Sequence, residues 1–404
     1  MDLWLADEDR FGAAPTWAES GAMALTGDAD GPVFDAVGPL AARLHTAAGA
    51  VAELASRRGH PLSVAGCALL GERAAIGGLG RQGARSVGGL AEMVPTADGW
   101  LAVNLARPSD IDLLPALVQR SVQGWPDVKA AISTRGNADL VARAADLGLP
   151  LAAVPDRPPS VTGPVSVTEG PDIAPSARPL VVELAGLWAG PLCGDLLGRA
   201  GARVVKVETR RRPDGARRGN TAFFDLLNAG KESVVVDRDD EGDVRLLLAL
   251  LHRADVVIDG SRPRVMRQWG IDVGGYVAAG TVWVSITGYG RVGAAGQRVA
   301  FGDDGAVAGG LVIPGSPPRF VADAAADPIT GLYAALAALA CLDQGRAGLV
   351  SASLCDAAAH VAAGTTWRQA DPGAAAPPRS RPDRGRARAL GADTEAIRSE
   401  LGPV

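Results

Sequence analysis

The sequence predicts an α/β protein built on a mainly parallel sheet, and three observations support this prediction. Beyond residue 180, short apolar segments typical of buried strands alternate with longer segments typical of helices. Apolar residues make up 47% of the 404-residue chain, and most of them are Ala, Val and Leu. This length is more than one hydrophobic core usually holds, so we expect two or three domains.

The alternation is regular between residues 180 and 290. Strands joined by helices form parallel sheets, and ligands bind such sheets beyond the carboxyl ends of their strands. We therefore expect the functional site at that edge. The predicted strands are LVVELAG (180–186), ARVVKVE (202–208), SVVVD (233–237), DVVIDG (255–260) and VWVSITGYG (282–290), and the predicted helices are GPLCGDLLGRAG (190–201) and DVRLLLALLHRA (243–254).

The first part of the chain is less regular. Residues 34–59 have helical apolar spacing and end in a basic turn and a glycine. Residues 77–89 are rich in Gly and Arg and are predicted to form a mobile loop. Residues 99–106 alternate like a strand, and residues 109–119 begin with an N-cap residue and predict a helix. Residues 140–156 predict a helix, a glycine stop and a short strand.

Residues 156–179 are rich in proline and lack apolar periodicity, so they predict an extended linker and a domain boundary. Four regions follow from this boundary. They are an N-terminal region (1–155), the linker, a main domain (180–372) and a C-terminal tail (373–404), which is rich in Pro, Arg and Ala before a last short helix.

Composition excludes several classes of function. The 40 Lys and Arg residues nearly balance the 45 Asp and Glu residues, which argues against nucleic acid or an acidic membrane as a partner. Cys67, Cys193, Cys341 and Cys355 are widely spaced and suggest neither disulfides nor a zinc site, so we expect no metal. The N-terminus lacks a signal-peptide pattern, and no uninterrupted apolar run reaches about 18 residues. We therefore expect no membrane span and a cytoplasmic protein.

Two motifs suggest nucleotide-like ligands. The loop in ELAGLWAGPLCGDLL (183–197) follows a strand and precedes a helix, and Glu208 lies where a ribose-binding acid would follow. However, Trp188 stands where a backbone must approach a pyrophosphate, which disfavours a nicotinamide cofactor. Five arginines within residues 208–224 could bind phosphate, although on its own this pattern favours a solvent-exposed loop.

The segment VADAAADPITGLYAALAALACL (321–342) places Asp327 at the start of an almost wholly apolar helix, four residues after Asp323. Asp327 could accept hydrogen bonds from the first helical turn and act only as a cap. A capped carboxylate has a lowered pKa, so Asp327 would be ionised and could also act as a nucleophile. The residues alone leave both roles open.

Six motifs occur in a consistent order over residues 180–404, and together they resemble the class III CoA-transferases. This is the family of formyl-CoA and carnitine CoA-transferases, to which α-methylacyl-CoA racemase is related. The motifs are VVELAGLWAGPLCGDLLGRAGARVVKVE (181–208), NAGKESVVVD (228–237), ADVVIDGSRPRVMRQWGI (254–271), VSITGYG (284–290), ADPITGLYAALAAL (326–339) and LGADTEAIRSELG (390–402).

The N-terminal part resembles the same family out of order. Residues 17–32 resemble the stretch that normally follows the catalytic half-site, residues 95–106 the start of the small domain, and residues 147–156 its end. The small-domain half therefore precedes the Rossmann-like half, as in a circular permutation or a rearranged tandem.

The resemblance implies a Rossmann-like domain, a smaller α+β domain and a homodimer of two interlocked chains. It also implies transfer of coenzyme A, bound as an acyl-CoA substrate, to a carboxylic acid. In the family mechanism an aspartate attacks the thioester, and an acyl-aspartyl anhydride and then an aspartyl-CoA thioester form. No metal takes part.

Carried over residue by residue, the catalytic aspartate falls on Asp327, and the glycine loop that closes the site falls on Gly88 and Gly89 within the Gly77–Gly89 segment. Asp323 lies four residues before the position of the family's catalytic aspartate, so the resemblance does not assign the catalytic role to it. The CoA-contacting positions fall on Trp188, Ala189, Thr209, Arg210, Gly260, Ser261, Arg267 and Tyr289.

Departures from the family pattern keep two alternatives open. Gly260-Ser261 stand where the family has Asn-Phe, and Gln268 stands where it has an arginine, with Arg267 one position earlier. These changes are compatible with a non-catalytic CoA-binding homologue. A racemase would need a second base, and Asp303 stands where the racemases have their histidine.

Overall fold

The computed structural model describes residues 10–402. The acidic segment 1–9, in which we predict no signal peptide, and residues 403–404 lie outside the described residues. The strands are β1 (Val33–Val37), β2 (Ala91–Pro95), β3 (Trp100–Asn104), β4 (Leu151–Ala153), β5 (Val165–Asp172), β6 (Leu180–Leu184), β7 (Arg203–Thr209), β8 (Glu232–Val236), β9 (Val256–Asp259), β10 (Val282–Thr287), β11 (Arg346–Ser353) and β12 (Thr366–Ala370).

The helices fall between these strands in the pattern that the sequence predicts for the second half of the chain. They are α1 (Leu40–Arg57), α2 (Glu72–Gly77), α3 (Pro108–Asp112), α4 (Leu114–Val118), α5 (Trp125–Ile132), α6 (Asn137–Leu147), α7 (Ala189–Arg199), α8 (Thr221–Asn228), α9 (Glu241–Arg253), α10 (Pro263–Gln268), α11 (Val273–Ala278), α12 (Gly302–Ala308), α13 (Ala326–Asp343), α14 (Leu354–Ala362) and α15 (Thr394–Leu401).

Seven strands form the main sheet in the order β5-β11-β10-β9-β6-β7-β8. The six strands from β6 to β11 are parallel. Counted from β6, their order is 3-2-1-4-5-6, which is the order of a doubly wound α/β sheet. The predicted parallel-sheet domain is therefore confirmed. The strand order reverses between β6 and β9, so the carboxyl ends of these two strands border the crevice in which such sheets bind ligands.

Strand β5 lies within residues 156–179, which the proline content predicts to be a linker. It pairs antiparallel with β11, and Val167 lies opposite Val350. An edge strand tolerates proline because half of its N–H groups face away from the sheet, and Pro171 lies in this strand. Residues 165–172 are therefore part of the sheet rather than of an extended linker. The other domain boundaries stay predictions.

A smaller antiparallel sheet has the order β2-β3-β4. Leu101 in this sheet, Leu117 in α4 and Ile132 in α5 are completely buried and share one core. The opposite face of the sheet meets the main body of the protein, where Ala102 packs in a cluster with Phe320. A smaller antiparallel sheet beside the parallel one is thus confirmed.

Two predicted helices differ in the structure. The helix expected at residues 34–59 begins only at Leu40, because the preceding residues pair with β12 as strand β1. The helix expected at residues 109–119 divides into α3 and α4, with Pro115 in the first turn of α4, where its missing N–H costs nothing. Helix α6, its left-handed C-cap Gly148 and strand β4 follow as predicted.

Helix α13 is apolar on every side and lies at the centre of the main core, where it contacts α1, α7 and α14. It is long enough and apolar enough, with a mean hydropathy of 1.2, to resemble a membrane span. However, 83% of this window is buried inside the protein, as expected for the core helix of a globular fold.

The contact between α7 and α13 depends on Gly331. A methyl group at this position would lie 2.6 Å from the carbonyl oxygen of Ala189. We predict that Gly331→Ala lowers the free energy of unfolding by about 1–3 kcal/mol, because overpacking outweighs the better helix propensity of Ala. Urea denaturation measures the change. Gly274→Ala in the exposed helix α11, where a methyl group meets only an ordinary contact at 3.5 Å, should be neutral or stabilising. Equal stability of the two variants would contradict the close packing of α7 on α13.

Candidate functional site

A cavity of about 280 Å³ opens where the strand order reverses. It is lined by the loops that follow β6, β9 and β10 and by the first turn of α13. Four of the predicted site residues meet there, which are Ala189, Gly260, Ser261 and Asp327. This is the edge of the sheet at which the sequence predicts a ligand.

A second cavity, of about 240 Å³, lies next to the first beyond the ends of β6, β7 and β8. The two cavities share Ala185, Gly186, Ser261 and Val265. The predicted residue Thr209 lines the second cavity, as does Arg212 of the arginine-rich segment.

The remaining predicted CoA residues lie elsewhere. Arg210 and Arg267 are exposed and line neither cavity. Trp188 is buried below the first loop, where its indole meets Phe223 edge to face. Tyr289 is partly buried, and its ring is stacked against Arg298.

Buried charges hold the loop between β6 and α7. Leu187 has a left-handed backbone with φ of 67°, and its N–H donates to the carboxylate of Asp214 at 2.9 Å. Lys206 pairs with Asp214 at 3.0 Å and with Glu183 at 2.8 Å, and all three side chains are almost completely buried. The loop is therefore shaped by ion pairs rather than by the glycines of a dinucleotide-binding motif.

Glu208 does not fulfil the role of a ribose-binding acid. Its carboxylate accepts hydrogen bonds from the guanidinium of Arg217 and from the N–H of Asp214. Arg217 also lies over the ring of Phe224, at 4.4 Å from its centroid. With its oxygens used in this way, Glu208 gives no support to a nicotinamide-binding site.

Arg73, on α2, is a site residue that the sequence did not indicate. It forms a two-pronged ion pair with Asp323, which is completely buried, and its guanidinium lies over the Trp188 indole at 5.4 Å. Arg73 and Asp323 are 250 positions apart, so no local pattern could reveal the pair. Asp323 is therefore a structural partner rather than a free carboxylate.

The loop before α13 has a strained backbone. Ala322 and Ala324 have φ values of 50° and 45°, which are uncommon for residues other than glycine. The N–H of Ala322 donates to the hydroxyl of Thr26, and the N–H of Ala324 donates to Asp303. A methyl group on Gly302 would lie 2.2 Å from the carbonyl oxygen of Ala324, so only glycine fits beside this loop.

Asp327 does not cap its own helix. The N-cap position of α13 is Ala325, and it makes no side-chain capping bond. The N–H of Gly302, on a different segment, lies close enough to the carboxylate of Asp327 to favour its ionised form. The capping interpretation of Asp327 is therefore wrong, and the side chain remains on the wall of the cavity.

The pKa of Asp327 is raised to about 7, not lowered as the capping argument predicts. Burial is the largest cause, and the nearby carboxylates of Asp303 and Asp304 add to it, while Arg73 opposes both effects. The expectation of a fully ionised aspartate is thus wrong, because burial and like charges outweigh one arginine.

The neighbours of Asp327 are themselves unusual. Burial raises the pKa of Asp303 to about 6 against the opposing charge of Arg73, and the Ser86 hydroxyl is a partner of its carboxylate. Burial also raises the pKa of Asp304 to about 7, although this carboxyl accepts hydrogen bonds from Phe301 and Asn104. At neutral pH this group of carboxyls therefore holds protons that exposed aspartates would have lost.

Gly88 and Gly89, the predicted closing loop, lie beside this group. A methyl group on Gly88 would come within 2.8 Å of the Arg73 guanidinium. The segment is tied down by backbone hydrogen bonds, for example from Gly89 to Ser86 and from Phe320 to Gly83. It is therefore a bonded turn here rather than the open loop that its composition predicts, and its closing role stays a prediction.

Within residues 10–402, no group of three or more His, Cys, Asp or Glu side chains is arranged to hold a metal ion. What the cavity offers is the half-buried carboxyl of Asp327 with a raised pKa, together with the side chains of three arginines and the backbone of glycine-containing loops. The profile of CoA-transferase family III matches residues 179–391, which is more than half of the chain. The chain belongs to this family.

Two similar curated proteins come from Chloroflexus aurantiacus. One, named succinyl-CoA–D-citramalate CoA-transferase, is 32% identical over 185 residues, which cover 41% of this chain and 46% of that protein. The other, named succinyl-CoA–L-malate CoA-transferase beta subunit, is 29% identical and covers 45% and 49% of the two chains. The chain thus spans about half the length of the curated relatives it matches. A solved CaiB/BaiF family protein from Brucella suis is 29% identical, with a TM-score of 0.40 and coverage of 45% of this chain and 53% of that one.

Removing Arg73 tests the electrostatic core of the site. We predict that Arg73→Met lowers the free energy of unfolding by about 3 kcal/mol or more, because the buried charge of Asp323 is left without a partner. Replacing both residues, as Arg73→Met with Asp323→Leu, should recover part of the loss. The control is Arg57→Met, which breaks exposed pairs only and should cost less than about 1 kcal/mol. Equal losses for Arg57→Met and Arg73→Met in urea denaturation would contradict the account.

Proposed function

We propose that this protein is a CoA-transferase that moves coenzyme A from an acyl-CoA thioester to a carboxylic acid, with Asp327 as the nucleophile. The observation that carries the proposal is the position of Asp327. Its carboxyl lies on the wall of the cavity that opens where the strand order of the main sheet reverses. Asp327 also lies within the part of the chain that matches CoA-transferase family III. The names of the relatives from Chloroflexus aurantiacus, both CoA-transferases that use succinyl-CoA, support the same reaction class.

The two adjoining cavities suit the two ends of coenzyme A. The second cavity is walled by apolar side chains such as Val207, Met266 and Trp269, which suit a nucleotide base. The first cavity contains Asp327 and suits the thioester. Ser261 borders both cavities and would lie beside the part of the cofactor that passes between them.

Arginines near the junction of the cavities suit the phosphates. Arg262 is in the first cavity and Arg212 is in the second, and neither makes an ion pair with a carboxylate in the described part of the chain. Burial and the charges of Arg264, Arg107 and Arg212 hold the pKa of Arg262 below its usual value. A bound phosphate would relieve this repulsion through charge-assisted hydrogen bonds.

The reaction follows from an ionised Asp327. The carboxylate attacks the thioester carbonyl, the C–S bond breaks, and the CoA thiolate leaves behind an acyl-aspartyl anhydride. The thiolate then attacks the aspartyl carbonyl, which releases the donor acid and forms an aspartyl-CoA thioester. The acceptor carboxylate reverses these two steps, so the new acyl-CoA leaves and the Asp327 carboxylate is restored.

The surroundings of Asp327 favour this chemistry over hydrolysis. When substrate fills the cavity and the site closes, water is excluded from the labile intermediates and the nucleophile reacts with the bound thioester. Closure by the segment with Gly88 and Gly89 remains part of the proposal. The interlocked homodimer also remains part of the proposal. The ion pair between Arg73 and Asp323 forms within one chain and does not need a partner chain.

The racemase alternative is less well supported. It needs a second base that faces the substrate, and Asp303 would have to fill that role. Asp303 does not line the cavity that contains Asp327, and its carboxylate is used by the N–H of Ala324 and by Ser86. We therefore favour transfer over proton exchange at the α-carbon.

Covalent trapping tests the proposal. We predict that wild-type protein mixed with a panel of acyl-CoAs gains the mass of an aspartyl-CoA or acyl-aspartyl species, and that Asp327→Ala gains none. Intact-protein mass spectrometry after an acid quench measures the adduct, and hydroxylamine or borohydride then releases CoA and leaves a hydroxamate or an alcohol on the aspartyl side chain. Since only the carboxylate form attacks, adduct formation should speed up as pH rises through about 7.

Two controls make the result decisive. Asp239→Asn, at an exposed position, should form the adduct like the wild type. A rise in melting temperature with CoA shows that each variant is folded and binds the cofactor. CoA binding without an adduct in any variant would point to the non-catalytic homologue, and α-proton exchange without an adduct would point to a racemase.

A further inference from the structure

The charges on the wall of the first cavity are unbalanced. Asp327 is its one acidic lining side chain, whereas three arginines line it, namely Arg107, Arg262 and Arg298. A cavity for an uncharged acyl chain has no need of so much positive charge. The partners that these three arginines already have determine which of them is available to a substrate.

Arg107 already has protein partners, and Arg262 is already assigned to the phosphates of coenzyme A. Arg107 is bound to the buried carboxylate of Asp110 at 2.7 Å and to the carbonyl oxygen of Gly148 at 2.7 Å. Arg262 lies on the side of the cavity that faces Arg212, where the proposed function places the phosphates of coenzyme A.

Arg298 is held in place without a carboxylate. Its guanidinium lies 3.5 Å from the centroid of the Tyr289 ring, and one nitrogen donates to the carbonyl oxygen of Leu151 at 3.3 Å. Among residues 10–402 the structure records no ion pair for Arg298. Stacking on an aromatic ring fixes the plane of a guanidinium and leaves its edge available for a two-pronged bond to a planar anion.

The position of Arg298 relates it to the reacting atoms. Residues 298–301 form a continuous part of the cavity wall. The chain then continues into Gly302, whose N–H lies close enough to the carboxylate of Asp327 to influence its pKa. Arg298 and Asp327 line the same cavity, and its volume of about 280 Å³ is enough for a short acyl chain.

We infer that Arg298 binds the second carboxylate of a short dicarboxylic acyl group, and that the acyl substrates of this site are dicarboxylic acids. The inference rests on the proposed function, because it assigns the distal end of an acyl group whose carbonyl reacts at Asp327. A carboxylate on a fixed guanidinium forms paired charge-assisted hydrogen bonds, whereas the methyl end of a monocarboxylic acid leaves the cation desolvated and unpaired.

Exchange of isotopic label between an acid and its own CoA thioester tests the inference. Two pairs of equal chain length are compared, succinate with butyrate and glutarate with valerate, each with its matching acyl-CoA. The proteins are the wild type, Arg298→Gln and Arg298→Lys, with Arg253→Gln as a control. Arg253 is exposed at the end of α9 and lines neither cavity, so this variant removes the same charge from a distant surface.

We expect the Arg298 variants to change kcat/KM for the dicarboxylic acids and not for the monocarboxylic acids. The wild type prefers each dicarboxylic acid, and Arg298→Gln lowers its kcat/KM for them by about 10- to 100-fold through KM, with little change for the monocarboxylic acids. Arg298→Lys restores part of the loss, and Arg253→Gln behaves as the wild type. The Kd of free CoA, measured by calorimetry, stays within about threefold in Arg298→Gln.

Other results overturn the inference in distinguishable ways. Equal exchange rates for both kinds of acid in the wild type leave the transferase function standing and remove the dicarboxylic specificity. Weaker binding of free CoA by Arg298→Gln, with unchanged preference among acids, makes Arg298 a phosphate ligand. Absence of exchange with all four acids rejects the transferase function, and the inference falls with it.

Discussion

The buried ion pair between Arg73 and Asp323 is the interaction on which the rest of the site depends. One guanidinium acts on three carboxyls, because the charge of Arg73 that pairs with Asp323 also lies close to Asp303 and Asp327. Burial outweighs this attraction, so the pKa values of Asp303 and Asp327 stay raised. The ion pair also fastens an element of the first half of the chain to the loop that leads into the central helix.

The raised pKa of Asp327 means that ionisation of this side chain destabilises the folded protein, and the same environment favours the reaction. Burial disfavours the ionised form, so the carboxylate that does form is poorly solvated and a stronger nucleophile than an exposed aspartate. The left-handed backbone of Ala322 and Ala324, in the loop just before Asp327, also destabilises the folded protein locally. The close packing of helix α13, in which nearly every residue is buried, offsets these two destabilising features.

The regular alternation after residue 180 was enough to predict the parallel sheet and the edge at which the cavity opens, because those features follow from local periodicity. Strand β5 was missed because its proline-rich sequence is tolerated only at the edge of a sheet, which is a property of the fold. The role of Arg73 and the direction of the pKa of Asp327 were missed for a related reason. Capping is judged from neighbouring residues, whereas the charges that decide this pKa lie far away in the sequence.

Asp327 is held in an environment that disfavours its charge, and the pH dependence of stability measures this directly. The folded-state pKa, about 7, lies above the unfolded value, about 4, so the wild type loses stability as pH rises from about 4 to about 7. Thermal unfolding of wild type and Asp327→Asn should therefore show the variant increasingly more stable over that range, with a constant gap above pH 7. A variant that is less stable than the wild type at pH 7, by a margin that grows with pH, would mean an aspartate stabilised as an ion and would contradict the account.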